Sequence, residues 1–182
     1  NRPLGNIVES ISFHNELAYI VVNNANKIEV VRQGTFEEVV TIEGLELPRH
    51  FLGINDEKAY VTQWGSDGVS GSIQIIDLTT NTISGSIQTA GGGVEKMLEA
   101  NGYIFVSHSG GFGVQDSMIT VINPFNDSVV ANIQIGDNPS DFITDNQGNI
   151  WIFGKGYNDF NGTTTPSTIS VIDPSNLSVS NT

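Results

Sequence analysis

The sequence predicts an all-β chain, and three observations predict it. Ile and Val together number 38, whereas Leu and Ala together number 14. Branched side chains suit a pleated, half-buried surface, and the second pair suits helices. Apolar residues come in runs of four or five, the length of short strands and too short to cross a bilayer as a helix. The third observation is a repeat, which also fixes the architecture.

Four segments share one pattern: Ile28-Glu29-Val30-Val31, Ile73-Gln74-Ile75-Ile76, Ile119-Thr120-Val121-Ile122 and Ile169-Ser170-Val171-Ile172. Their first residues lie 45, 46 and 50 apart. Upstream of each stands an apolar segment around an aromatic residue, Tyr19, Tyr60, Phe105 or Trp151. Twelve residues before each aromatic, at Ile7, Pro48, Gly93 and Pro139, another strand-like stretch opens, and a fourth stretch follows the Ile-rich pattern. Each unit therefore reads as four strands, A to D. Asn- and Gly-bearing turns join A to B, and Asn123-Pro124 and Asp173-Pro174 suit type I turns between C and D. Four antiparallel strands per 40–50 residues make a β-propeller blade. The predicted blades span 7–45, 46–91, 92–137 and 138–182, with the last strand incomplete. The chain is therefore expected to be part of a larger ring, with a closed four-bladed ring as the alternative.

Seven Lys+Arg against twenty Asp+Glu give a net charge of −13. Nucleic acid and anionic membranes need a cationic patch, so neither is an expected partner. Cysteine is absent, which excludes disulfides, thiolate metal sites and a cysteine nucleophile. The chain opens on Asn1 with no basic-apolar leader, as a trimmed chain or a mature exported protein would.

The run Lys58-Ala59-Tyr60-Val61-Thr62-Gln63-Trp64 followed by Gly71-Ser72-Ile73-Gln74-Ile75-Ile76-Asp77-Leu78 resembles the YVTN-type propeller repeat, with Gln63 where that family has Asn. Ile135-Gly136-Asp137-Asn138-Pro139 and Ser167-Thr168-Ile169-Ser170-Val171-Ile172-Asp173-Pro174 are similar to the same repeat. The loops with Gly110-Gly111-Phe112-Gly113 and Gly156-Tyr157-Asn158-Asp159-Phe160-Asn161-Gly162 resemble more narrowly the surface-layer-like propellers of Bacteroidetes. Similarity covers residues 46–182; the first repeat departs from it, with Ile20-Val21-Val22 for Val-Thr-Asn. The resemblance implies a seven-bladed ring, a cell-surface or periplasmic location, lipoprotein relatives that capture cobalamin, and an outer-membrane transporter as partner.

Strand direction puts the B–C and D–A connections at one end of the blades. The B–C loops there are long, about 63–71, 107–117 and 154–167, and long loops on an economical scaffold usually carry function. They bear Trp64, His108, Phe112, Tyr157 and Phe160. Counting back from the aromatics makes the third position of strand A polar throughout, as Glu9, His50, Glu95 and Asp141, with Ile11, Leu52, Met97 and Ile143 two residues further on for packing between blades. The expected function is non-enzymatic capture of a small molecule or glycan. Trp64, Phe112, Tyr157 and Phe160 would stack on it, and His50, Glu95, His108 and Asp141 would make polar contacts. No catalytic motif, metal spacing or cofactor fingerprint is present, and Asp67, Asp116 and Asp159 lack regular Ca²⁺-loop spacing. The alternatives are a lactonase- or lyase-type enzyme with a cation at the channel mouth, and a structural or adhesive surface protein.

Overall fold

The computed structural model describes residues 3–159 and 162–181, which form four four-stranded antiparallel sheets. The first holds β1 (Val8–His14), β2 (Leu17–Val22), β3 (Lys27–Arg32) and β4 (Glu38–Ile42). The second holds β5 (Pro48–Gly53), β6 (Lys58–Gln63), β7 (Ser72–Asp77) and β8 (Thr82–Gln88). The third holds β9 (Val94–Ala100), β10 (Tyr103–His108), β11 (Met118–Asn123) and β12 (Ser128–Gln134). In the fourth, β13 (Pro139–Thr144) and β14 (Ile150–Gly154) are followed by a two-stranded hairpin, β15 (Tyr157–Asn158) with β16 (Thr164–Thr165), before β17 (Thr168–Asp173) and β18 (Ser178–Asn181). Each sheet runs in chain order from its first strand to its last, as a propeller blade does. The short B–C connection of the first blade is a 3-10 turn, Asn23–Ala25.

The core lies between blades rather than within them. Tyr19, Val21, Ile28, Val30 and Ile42 of the first blade pack on Phe51, Ala59, Val61 and Ile76 of the second. Tyr60, Ile73 and Ile87 pack on Val94, Ile104, Val106 and Ile122 of the third. Phe105, Ile119, Val121 and Ile133 pack on Ile150, Ile152 and Ile172 of the fourth. The repeated aromatic is thus the residue each blade presses into the next. Tyr19 stacks flat on Phe51, with centroids 3.9 Å apart.

Tyr19 opposes Ser12 and Phe105 opposes Leu98, seven residues back, whereas Tyr60 opposes Leu52 and Trp151 opposes Ile143, eight back. The turn between the first two strands sets that offset, and a one-residue slip changes the face on which a side chain stands. Counting back from the aromatic therefore mixed two faces. Met97 packs against the second blade and Leu52 against the third, both in one interface but from opposite sides. Ile11 and Ile143 stand on the outer faces of the terminal blades and are exposed.

Tyr19, Tyr60 and Phe105 are 3%, 0% and 0% exposed, while Trp151, which has no described blade upon it, is 39% exposed. Phe105→Ala is expected to cost ~3–5 kcal/mol in urea unfolding, and Trp151→Ala no more than ~1–2 kcal/mol. Equal losses would show that the repeated aromatic does not act through the neighbouring blade.

Candidate functional site

All four innermost strands carry a β-bulge at their start, between Val8 and Ser10, Pro48 and Phe51, Val94 and Met97, and Pro139 and Asp141. A bulge turns consecutive side chains toward the sheet's end instead of alternating them across its faces. Its cost is an amide that lacks a ladder partner. In β5 and β9 a buried hydroxyl on the second strand supplies one: His50 N–H donates to Thr62 Oγ1 (3.0 Å) and Lys96 N–H to Ser107 Oγ (3.2 Å). This gives the Thr of Tyr60-Val61-Thr62-Gln63 a structural task.

Pro48 opposes Gln63, Val94 opposes His108 and Pro139 opposes Gly154, while Val8 opposes Val22. In that register the equivalent positions are Glu9, Arg49, Glu95 and Ser140, followed by Ser10, His50, Lys96 and Asp141. In place of a repeated acid, Glu9, Arg49 and Glu95 thus alternate in charge around the mouth, with the neutral Ser140 fourth. Arg49 reaches Glu9 at 2.8 Å on one side and Glu95 at 3.0 Å on the other, and Lys96 reaches Asp141 at 2.7 Å. The Arg49 guanidinium also lies 4.3 Å from the Trp64 ring centroid. Arg49 and Lys96 are not among the residues that the sequence singles out; the missing signal is the turn length that sets the register.

These groups line a cleft of about 370 Å³ where all four blades meet. His50, Trp64, Glu95 and Tyr157, candidates from the sequence, are on its wall, together with Arg49, Lys96 and Lys155. Asp141 lies beside it, through Lys96. Phe112 stands edge-on to Trp64, centroids 5.0 Å apart at 86°, and remains 64% exposed. Phe160 lies outside the described residues.

His108 differs from the expectation. It is the last residue of β10 rather than a loop residue, wholly buried, with Nε2 2.8 Å from the Thr120 hydroxyl. It holds the place of Gln63, which accepts Glu46 N–H at 3.0 Å and donates to Ser72 Oγ at 3.2 Å. Both side chains tie the second strand to its surroundings. Burial lowers the pKa of His108, and Asp116 opposes that shift.

The long loops are locked together. Phe112 N–H donates to Gly68 O (3.0 Å), and Gly93 N–H to Val69 O (2.8 Å). Gly68 has φ +73°, and a Cβ there would meet the Phe112 ring at 2.1 Å; Gly93, at φ +56°, would bring one to 2.1 Å from Gly111 N. Asp67 accepts Val69 and Ser70 amides, which hold its carboxyl below the usual range. Asp116 accepts the Gly92 amide at 3.0 Å. Trp64 Nε1 is buried with no hydrogen-bond partner among the described residues.

Burial, then Lys96 and Arg49, lowers the pKa of His50 to about 4, against Asp141, which raises it. His50 is therefore neutral at neutral pH. A folded pKa below the unfolded one favours the fold above about pH 6.5, and that contribution is lost as pH falls toward about 4. Relative to His50→Asn, the wild-type protein is expected to lose stability across that window in urea titrations, with the His50 ring proton resonance titrating near its lower end. A His50 midpoint near 6.5 would contradict this environment.

The whole chain, residues 1–182, matches the model of a family described as a domain of unknown function, DUF5074. The chain belongs to that family. No curated protein matches it. Among solved structures, hydrazine synthase of Kuenenia stuttgartiensis is similar at 17% identity and TM-score 0.74, over 91% of this chain and 50% of that one. Dihydro-heme d1 dehydrogenase NirN in complex with DHE is similar at 14% identity and TM-score 0.70, over 96% and 37%. The WD40 β-propeller domain of Doa1 is similar at 11% identity and TM-score 0.68, over 95% and 52%. This DUF5074 chain shares the propeller fold with them and spans about half or less of each. Among its described residues no helix is long and apolar enough to cross a membrane, and no three His, Asp or Glu are grouped to hold a metal ion.

Proposed function

We propose that the chain is a non-enzymatic ligand-binding propeller of the cell surface or periplasm, capturing a small molecule or glycan in the cleft at its loop-bearing end. The observation that carries this reading is convergence: side chains from all four blades and two interlocked loops meet in one cleft of about 370 Å³. Cavities of this size with a few oriented polar groups suit small ligands. The loops are already braced by Phe112 on Trp64 and by backbone bonds, so little ordering is left to oppose binding. Cobalamin and an outer-membrane transporter are the ligand and partner to which the resemblance to surface-layer-like propellers points. Binding is favoured over cation-dependent catalysis because Glu9, Glu95 and Asp141 already have Arg49 and Lys96 as counter-charges.

Isothermal titration with cyanocobalamin and with a panel of oligosaccharides tests the reading. Saturable binding to one of them is expected, weakened at least ~10-fold by Tyr157→Ala, or about 1.4 kcal/mol. Absence of binding to every member of both sets would remove cobalamin and glycans as the ligand, and binding indifferent to Tyr157 would overturn the cleft as the site.

A further inference from the structure

The chemistry of the cleft narrows the class of ligand, on the premise that the cleft binds one. Its carboxylates are already engaged: Glu9 and Glu95 with Arg49, Glu95 also with the Ser109 hydroxyl at 3.1 Å, and Asp141 with Lys96. Beside the neutral His50 ring, the groups left over include several that only donate. Lys155 is exposed on the wall, and neither its ammonium nor the Tyr157 hydroxyl bonds any described residue. In the glycine loop the amides of Gly110 and Phe112 go to the carbonyls of Gly92 and Gly68, whereas those of Gly111 and Gly113, on the cleft wall, donate to no described group. A site lined by unsatisfied donors selects acceptors, and a charged acceptor makes the stronger bond.

Charge distribution agrees. The chain has seven Lys and Arg against twenty Asp and Glu, yet Arg49, Lys96 and Lys155 all reach this cleft. They balance Glu9, Glu95 and Asp141, so the cleft is locally neutral on a chain of net charge −13. An anion meets less repulsion there, and among the described residues Lys155 is the cation at this cleft that no carboxylate has claimed. Tyr157 adds a flat, half-buried ring to the lining that also holds Lys155.

We infer that this cleft takes a small organic anion with a flat ring next to its acid group, held by Lys155, Tyr157 and the free amides of Gly111 and Gly113. A neutral ligand of the same shape leaves the ammonium without its counter-charge and binds more weakly.

Benzoate, phenyl phosphate and the neutral isostere benzamide test this by two-dimensional amide NMR of the 182-residue protein. At least one anion is expected to shift the Gly111, Gly113 and Lys155 amides with at least ~10-fold higher affinity than benzamide, a ratio set by one charge-assisted bond. Which anion does so tells a carboxylate site from a phosphate site. Lys155→Gln is expected to remove the preference and Lys155→Arg to keep it, while added salt weakens the anion alone. Benzamide binding at this cleft as tightly as both anions, or an anion preference that survives Lys155→Gln, overturns the inference and leaves the cleft as a binding site. If none of the three shifts these amides, the inference falls and the wider reading is judged by its own titrations.

Discussion

The arrangement at the mouth depends on a charge alternation that the bulges make possible. Four inner strands converge there, and each bulge sends two successive side chains into the same crowded space. If the equivalent positions were all acidic, they would repel one another at short range. Placing Arg49 between Glu9 and Glu95, and Lys96 beside Asp141, removes that repulsion and fixes the side chains at one spacing. Burial raises the pKa of Glu95, and the combined pull of Arg49 and Ser109 does not cancel it. Desolvation thus outweighs the local attraction, as expected for partly buried ion pairs. That pair contributes geometry more than stability, whereas the Lys96 ammonium holds the Asp141 carboxyl below the usual range.

Stability comes from the blade interfaces. Each buries an aromatic of one blade's second strand against the first two strands of the next, so the same residues that define the repeat hold the blades in sequence. That division of labour frees the loop-bearing end from structural duty. The long loops there brace each other through Phe112, Trp64 and the close approach of backbone at Gly68 and Gly93. A rigid platform over a neutral, donor-lined cleft follows.

Much of the fold was legible because a repeat writes the same information four times: the Ile-rich third strand and the aromatic of the second fell where their spacing predicts. The cleft was legible in part, since Trp64 and Tyr157 sit on long loops and His50 and Glu95 at strand starts. Arg49 and Lys96 were not found, because register depends on whether a turn adds one residue, and a seven- or eight-residue offset leaves no mark in composition. His108 was misplaced for a related reason. Its pairing with Val94 closes the bulge and extends β10 by one residue, drawing an apparently loop-borne imidazole into the interior. Phe112, a candidate ligand contact by its loop position, stands edge-on to Trp64 and stays exposed.

The most direct test of the account is a double-mutant cycle between Arg49 and Glu95, using Arg49→Met and Glu95→Gln in urea unfolding. If Arg49 is the hub that neutralises the mouth, each single change leaves an unbalanced, poorly solvated charge and the pair shows a coupling energy of ~1–3 kcal/mol. Additive losses, within about 0.5 kcal/mol, would mean that the alternating charges do not sense one another and that the cleft owes its shape to something else.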